Sequence, residues 1–288
     1  MTAPSGIAAL VRMSGIQKYF GAVHANRSAE IEVAAGEIHA LVGENGAGKS
    51  TLMKVLSGML SPDGGRVEVG GRDVTGWSTA QAIAAGVGMV HQHFMLVPTL
   101  TVAENVVLGR EPVNVGTFDR ARATREVEEL SKQSGLVVPA DRLVADLSVG
   151  EAQRVEILKT LYRGARILLL DEPTAVLSPP EVTELWGVLR RVRDQGTTII
   201  LITHKLDEVM AVTERITVMR QGATVARMAT RETTPEGIAR AMVGRDVDLA
   251  IRDARRVAGE AALPPSGSAG LTVTNLTVRG PRVERAVN

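Results

Sequence analysis

The chain has 288 residues, a formal net charge of +1 and no cysteine. This length suits one large domain or two small ones, the near-neutral charge gives no argument for a nucleic-acid partner, and the lack of cysteine excludes disulfides and thiol chemistry. The longest apolar runs are only as long as strands, and the amino terminus lacks the pattern of a signal peptide. We therefore expect a soluble protein without a membrane-spanning helix.

The first third of the chain predicts several strands and one helix. Strands are expected at 7–13 and 29–43, a turn with a short hairpin at 61–74, and a further short strand at 87–92. Between the second strand and the hairpin, the segment 48–60 predicts a helix with its apolar positions at Leu52, Val55, Leu56 and Leu60.

The rest of the chain alternates helices with buried strands. From about 95 to 163 the pattern is mainly helical, and the apolar runs at 165–170 and 197–203 are typical of strands in a parallel sheet. A helix is predicted from Pro179, and a hairpin that turns at Gln221 and Gly222 follows. This alternation predicts an α/β fold with a mostly parallel sheet, interrupted by an inserted helical subdomain.

The segment "GENGAGKST" lies between an apolar strand and a helix and matches the P-loop pattern. Its glycines let main-chain N–H groups point at phosphate oxygens, Lys49 should reach the β- and γ-phosphates, and Ser50 should bind Mg²⁺. The alternative is a glycine-rich turn that caps a helix. The predicted phosphate-binding residues are Gly43, Glu44, Asn45, Gly46, Ala47, Gly48, Lys49, Ser50 and Thr51.

Two acidic residues end the buried strand "ILLLDEP". Asp171 is the candidate Mg²⁺ ligand, and Glu172 is the candidate base or water-orienting group. Two acids that merely solvate a loop are the alternative. His204 also follows a strand, where a structural role is the usual one. The neighbouring "HQH" at 91–93 is not expected to bind a metal by itself, because side chains alternate on a strand and no further ligand pattern accompanies it.

The segment "LSVGEAQR" places Ser148 three residues before Glu151, which is the spacing of a capping box at a helix start. A helix N-terminus with Gly150 in its first turn also suits an anion. The sequence therefore allows a cap alone or a cap that binds a second phosphate.

The order of these features resembles that of ATP-binding cassette (ABC) ATPases, over about Ile7 to Gly244. The resemblance implies a P-loop NTPase fold with a mostly parallel core sheet, an antiparallel β subdomain and a helical subdomain at about 95–163. It assigns Gln92 to sensing Mg²⁺ and the attacking water, and His204 to contacting the γ-phosphate. Phe20 would stack on adenine, with Tyr19 as a substitute, although core packing is the alternative for either aromatic.

In this family, "LSVGEAQR" is similar to the signature motif of one cassette, which faces the ATP bound by another. Ser148 and Gly150 would then bind a γ-phosphate held by a second cassette, fused or separate. Finer similarity is to importers of simple sugars or nucleosides with two fused cassettes. It implies an ABC domain at 7–250, a linker at 251–269 and the start of a second cassette at 270–288.

The resemblance implies an ATP- and Mg²⁺-dependent ATPase on the cytoplasmic face of the membrane. Its partners would be transmembrane permease subunits and, indirectly, an extracytoplasmic solute-binding protein. Apolar residues that follow Gln92 could contact the permease or belong to the core. The competing hypotheses are a non-transport ABC ATPase acting on ribosomes or DNA and a small-molecule P-loop kinase. The kinase hypothesis does not explain the signature segment or His204.

Overall fold

A computed structural model describes residues 9–92, 94–244, 276–279 and 284–287. The chain divides into two compact units, 1–245 and 246–288, which are described separately. In the second unit, strands β13 (Leu276–Arg279) and β14 (Glu284–Val287) pair in an antiparallel arrangement. The predicted linker at 251–269 lies outside the described residues.

A six-stranded sheet forms the centre of the first unit, in the order β12-β11-β3-β10-β9-β6. Five strands run parallel, and only β12 is antiparallel to its neighbour. The central strands are apolar at nearly every position because both faces of the sheet are covered. The strands are β3 (Ile38–Val42), β6 (Val87–Val90), β9 (Ile167–Asp171), β10 (Thr198–Thr203), β11 (Arg215–Arg220) and β12 (Ala223–Ala229).

A second sheet is fully antiparallel, in the order β2-β1-β4-β5. Its strands alternate in part between buried and exposed side chains, as expected where one face meets the core. The mostly parallel sheet and the antiparallel sheet confirm the predicted fold class. The strands of this sheet are β1 (Ala9–Phe20), β2 (Val23–Ala34), β4 (Gly64–Val69) and β5 (Arg72–Asp73).

Helices cover both faces of the central sheet. Those inserted between β6 and β9 form the expected helical subdomain, and an exposed short hairpin lies between the first two of them in the chain. They are α3 (Val102–Val107), α4 (Arg120–Ser134) and α5 (Val149–Tyr162), and the hairpin strands are β7 (Val113–Asn114) and β8 (Thr117–Phe118). The others are α1 (Lys49–Leu56), α2 (Thr79–Ala84), α6 (Pro179–Asp194), α7 (Leu206–Val212) and α8 (Pro235–Val243). In the described part of the chain, no helix combines the length and apolar character needed to span a membrane.

The helix α1 is shorter than the sequence predicted. It ends at Leu56, so Leu60 lies outside it. Gly58 adopts a φ of +70°, a left-handed conformation that glycine reaches without steric cost and that ends a helix. Leu60 still packs against the apolar core between α1 and the two sheets, which explains why it matched the apolar pattern of the helix.

Candidate functional site

The predicted site residues follow the carboxyl ends of neighbouring parallel strands. Gly43 comes directly after β3 and His204 directly after β10. Asp171 is the last residue of β9, and Gln92 lies two residues beyond β6. Because these strands are adjacent in the order β6-β9-β10-β3, the four positions share one edge of the sheet. In open α/β sheets this edge is where ligands bind.

The side chain of Lys49 is buried inside its own loop. Its Nζ donates hydrogen bonds to the main-chain oxygens of Gly43 at 2.8 Å and Glu44 at 3.0 Å. Burial lowers the pKa of Lys49, and the negative charges of Glu172 and Asp171 partly oppose that shift. The loop therefore holds a cation at the N-terminus of α1, and both features favour phosphate there.

The loop is braced from outside by β2 and by the turn between β11 and β12. Gly48 has a φ of +94°, and a Cβ there would lie 2.5 Å from the oxygen of Ala25. The fully buried Asn26 donates from Nδ2 to the oxygen of Gly48 at 3.1 Å. The N–H of Gly222 donates to the oxygen of Ala47 at 3.1 Å. Sequence reasoning missed Asn26, whose only signal is a polar residue at a core-facing strand position.

Two predicted metal ligands, Ser50 and Asp171, lie side by side. Ser50 Oγ is 3.4 Å from Asp171 Oδ1. Burial raises the pKa of Asp171, while the hydrogen bond from Ser50 opposes the shift. No group of three or more His, Asp or Glu side chains suited to a metal occurs among the described residues. The two oxygens fit Mg²⁺ only if phosphates and water complete its shell, which is the usual way proteins bind this ion.

Glu172 and His204 are brought into contact although 32 residues separate them. His204 Nδ1 lies 2.9 Å from Glu172 Oε1. Glu172 has a φ of +47°, an uncommon conformation for a residue with a side chain, and its N–H donates to the oxygen of Ile202 at 2.9 Å. Strained backbone of this kind is concentrated at functional sites.

A buried carboxylate ties together the two loops that carry this acid–histidine pair. Glu208 on α7 is only 6% exposed and accepts hydrogen bonds from the hydroxyls of Thr174 and, at 2.9 Å, of Thr203. Lys205 Nζ lies 3.2 Å from the same carboxylate. Sequence reasoning did not find Glu208, because an acidic residue in the first turn of a helix is ordinary.

Most of the predicted nucleotide-binding residues line one cleft of about 940 Å³. Phe20 is half exposed and faces this cleft, whereas the ring of Tyr19 stacks on His24 with centroids 4.0 Å apart. Of the two predicted aromatics, Phe20 is therefore the one placed to contact a ligand. The predicted residues that line the cleft are Phe20, Asn45, Gly46, Ala47, Gly48, Lys49, Ser50, Thr51, Gln92, Asp171 and Glu172.

The signature segment lies apart from the cleft lining. Ser148 caps α5 by the predicted box, in which its N–H donates to Glu151 Oε2 at 2.8 Å and its Oγ accepts from the N–H of Glu151 at 3.2 Å. A Cβ on Gly150 would lie 2.4 Å from Glu181 Oε1, so a larger residue there would require the Glu181 side chain to move. Hydrogen bonds from Ser178 chiefly lower the pKa of Glu181, and the N–H of Gly150 contributes.

Comparison with known proteins finds ATP-binding proteins of import systems among the relatives of this chain. The model of the family described as "ABC transporter" matches residues 27–175. The nucleoside import ATP-binding protein NupA of Lactococcus lactis subsp. cremoris (strain MG1363) is 50% identical over 240 residues, which are 83% of this chain and 47% of NupA. The guanosine import ATP-binding protein NupO of Bacillus subtilis (strain 168) is 46% identical over 273 residues, or 95% of this chain and 52% of NupO.

A further relative is the ribose import ATP-binding protein RbsA 2 of Streptomyces coelicolor (strain ATCC BAA-471 / A3(2) / M145). It is 43% identical over 259 residues, which are 90% of this chain and 50% of RbsA 2. The chain thus spans about half the length of these relatives. Among solved structures, the ADP conformation of an ATP-binding cassette of an ABC transporter superposes with a TM-score of 0.72 at 26% identity, covering 84% of this chain and 97% of that one.

Proposed function

The chain belongs to the ABC transporter family, and on that premise we propose that it binds and hydrolyses ATP to drive the import of simple sugars or nucleosides. The observation that carries the proposal is the shared sheet edge, where the buried Lys49 and the contacting pair Glu172 and His204 meet. The solute class is supported by the names of the relatives, which import nucleosides, guanosine and ribose.

ATP would lie along the 940 Å³ cleft. Phe20 would stack on the adenine ring, and the main-chain N–H groups of the P-loop would hold the phosphates. Lys49 would exchange its hydrogen bonds with the loop oxygens for bonds to the β- and γ-phosphates. Ser50, Asp171 and Gln92 would hold Mg²⁺, which neutralises charge on the phosphates when bound.

Glu172 and His204 would act on the attacking water and the γ-phosphate. Because Oε1 of Glu172 contacts His204 Nδ1, Oε2 is left to orient the water and accept its proton. The contact through Nδ1 also leaves Nε2 of His204, in the ring form that carries a proton on both nitrogens, to donate to the γ-phosphate. Lys49 would stabilise the charge that develops on the transferred group.

Replacement of Glu172 by glutamine tests the proposal. Glutamine keeps the shape of the side chain but is a far weaker proton acceptor, so we expect phosphate release to be abolished while ATP binding is retained. Phosphate release is measured with the 288-residue chain at concentrations at which two copies can pair. The control is Glu232→Gln, which changes an exposed side chain. Full turnover in Glu172→Gln with normal ATP binding would falsify the assignment.

We further propose that Ser148 and Gly150 bind a γ-phosphate held by a second cassette, fused or separate. Their place at the N-terminus of α5, apart from the cleft of their own chain, supports this. The domain organisation proposed from the sequence remains 7–250, a linker at 251–269 and the start of a second cassette at 270–288. The relatives' length, about twice that spanned here, supports that organisation.

Ser148→Arg tests the role of the signature. The bulky cation should leave ATP binding by this chain nearly intact and block hydrolysis in the paired assembly. Loss of ATP binding by the single chain would contradict the assignment, because it would place Ser148 at the chain's own nucleotide.

Transmembrane permease subunits are the proposed direct partners, at the cytoplasmic face of the membrane, and an extracytoplasmic solute-binding protein is the indirect one. The import relatives support this proposal. The test is purification from detergent extracts of the source cells. Co-purification with a membrane protein is expected, whereas co-sedimentation with ribosomes would refute it.

A further inference from the structure

The main chain three residues after Gln92 is held from both sides by charged side chains. The N–H of Met95 donates to Oε1 of Glu156, and the oxygen of Met95 accepts a hydrogen bond from Nζ of Lys159 at 3.0 Å. Glu156 and Lys159 are one helical turn apart on α5 and only 6% and 8% exposed. A buried acid and a buried base thus bind the two polar groups of one residue.

Packing of the Met95 side chain does not provide this anchoring, because that side chain is 65% exposed. A second anchor follows at Val97, whose N–H donates to Asn105 Oδ1 at 2.8 Å and whose oxygen accepts from Asn105 Nδ2 at 3.0 Å. Asn105 lies on α3 and is fully buried. The segment after Gln92 is therefore attached through its main chain to two helices of the helical subdomain.

Two buried charges are a costly way to satisfy the main-chain N–H and carbonyl of one residue. Both side chains are almost wholly shielded from water, and this burial raises the pKa of Glu156 and lowers the pKa of Lys159. Well-packed apolar residues often stabilise a protein as much as such a pair does. Charged hydrogen bonds, by contrast, fix distance and direction, and they are about twice as strong as neutral ones.

We propose that Glu156 and Lys159 are positioning residues that set the place of Gln92 relative to the signature helix. The inference rests on the proposed function, because the role proposed for Gln92 is in ATP hydrolysis. The helix α5 begins at the Ser148 cap, and its later turns carry Glu156 and Lys159. The hydrogen bonds of these two side chains to the main chain of Met95 are called the Met95 clamp. Since a helix moves as one body, any displacement of its N-terminus carries Met95 with it, and Gln92 lies three residues from that anchor.

The first test is amide hydrogen exchange at Met95 in the full chain. Glu156→Ala removes the acceptor, so exchange should become about tenfold faster or more, the change expected for loss of a charged hydrogen bond. Glu156→Gln keeps an acceptor oxygen and should restore most of the protection. Tyr162→Phe is the matched control, because it removes a hydrogen bond between α5 and Glu126 of α4 without touching Met95.

The second test is the separation of kcat from KM for ATP. Glu156→Ala should lower kcat about tenfold with little change in KM, because the P-loop is untouched, and Glu156→Gln should recover most of the rate. If Glu156→Ala does not fold, Lys159→Met replaces it, since it removes the donor and keeps an apolar stem of similar length.

Unchanged exchange at Met95, or faster exchange with an unchanged kcat, would overturn the proposal. An equal loss of kcat in Tyr162→Phe would also overturn it, because general loosening of the helical subdomain would then explain the effect. A wild-type chain that binds ATP without turnover contradicts the proposed function alone. Exchange at Met95 then decides by itself whether the clamp exists.

Discussion

Replacement of Glu208 by alanine is expected to lower the free energy of unfolding by about 3 kcal/mol, because two hydrogen bonds to a charged acceptor contribute roughly 1.5 kcal/mol each or more. The lost bonds are those from Thr174 and Thr203. The ion pair with Lys205 adds less than about 1 kcal/mol, because that lysine is 44% exposed and its charge is screened by water.

Urea unfolding followed by circular dichroism measures this loss, and an unchanged dependence on urea shows that the unfolded state is not altered. Glu208→Gln is the matched variant. It keeps one acceptor oxygen but loses one of the two hydrogen bonds and the ion pair, so its expected loss is about 2 kcal/mol. Alanine and glutamine variants that unfold alike would show that the hydroxyl contacts contribute little.

Glu208→Ala should also reduce ATP turnover more than ATP binding. The carboxylate joins the loop after β9 to the end of β10, and these two segments place Glu172 and His204. Phosphate release and ATP titration measure the two effects separately. If Glu208→Ala unfolds within about 0.5 kcal/mol of the wild type, the range of an ordinary surface substitution, the reasoning is refuted.

Gly48→Ala should weaken ATP binding at least tenfold, because its Cβ would meet a main-chain oxygen at 2.5 Å. Gly46→Ala has open space around its Cβ and should cost only about 1 kcal/mol of backbone strain. Equal losses of affinity for the two variants in ATP titrations would contradict this. Phe20→Ala should raise the Kd for ATP about tenfold and Tyr19→Ala should not, so the reverse order in the same titration would refute the adenine assignment. Hydrogen bonds, first from the N–H of Ser148, lower the folded-state pKa of Glu151 below its usual 4.5. The difference in the free energy of unfolding between wild type and Glu151→Gln, measured with urea, should therefore reach its full size above pH 4.5. It should vanish as the pH falls through the lowered pKa of Glu151, and a difference that does not depend on pH would exclude this cap.

Several features could be predicted because they depend on residues close together in the chain. The P-loop of Gly43–Thr51 needs a strand, glycines and one lysine at fixed spacing, and all are local. The cap of Ser148 and Glu151 spans one helical turn, and the apolar run of β10 reports burial on both sides. Alternation of such strands with helices was enough to predict the fold class.

The end of α1 shows where local reasoning stopped short. Leu60 continued the apolar pattern of the helix, but the left-handed Gly58 ends it earlier. An apolar position records burial and not the element that provides it. The pattern therefore gave the correct core residue and the wrong helix boundary.

By itself, the sequence determined the family, the central sheet and the position of the P-loop pattern at 43–51, because these follow from the order of short local patterns. The tertiary structure decided which side chains meet. The contact of Glu172 with His204, the brace of Asn26 on the P-loop and the clamp of Glu156 on Met95 join residues 32, 22 and 61 positions apart. No spacing rule encodes such pairs, because they depend on strand order and on how the helices pack across the sheet.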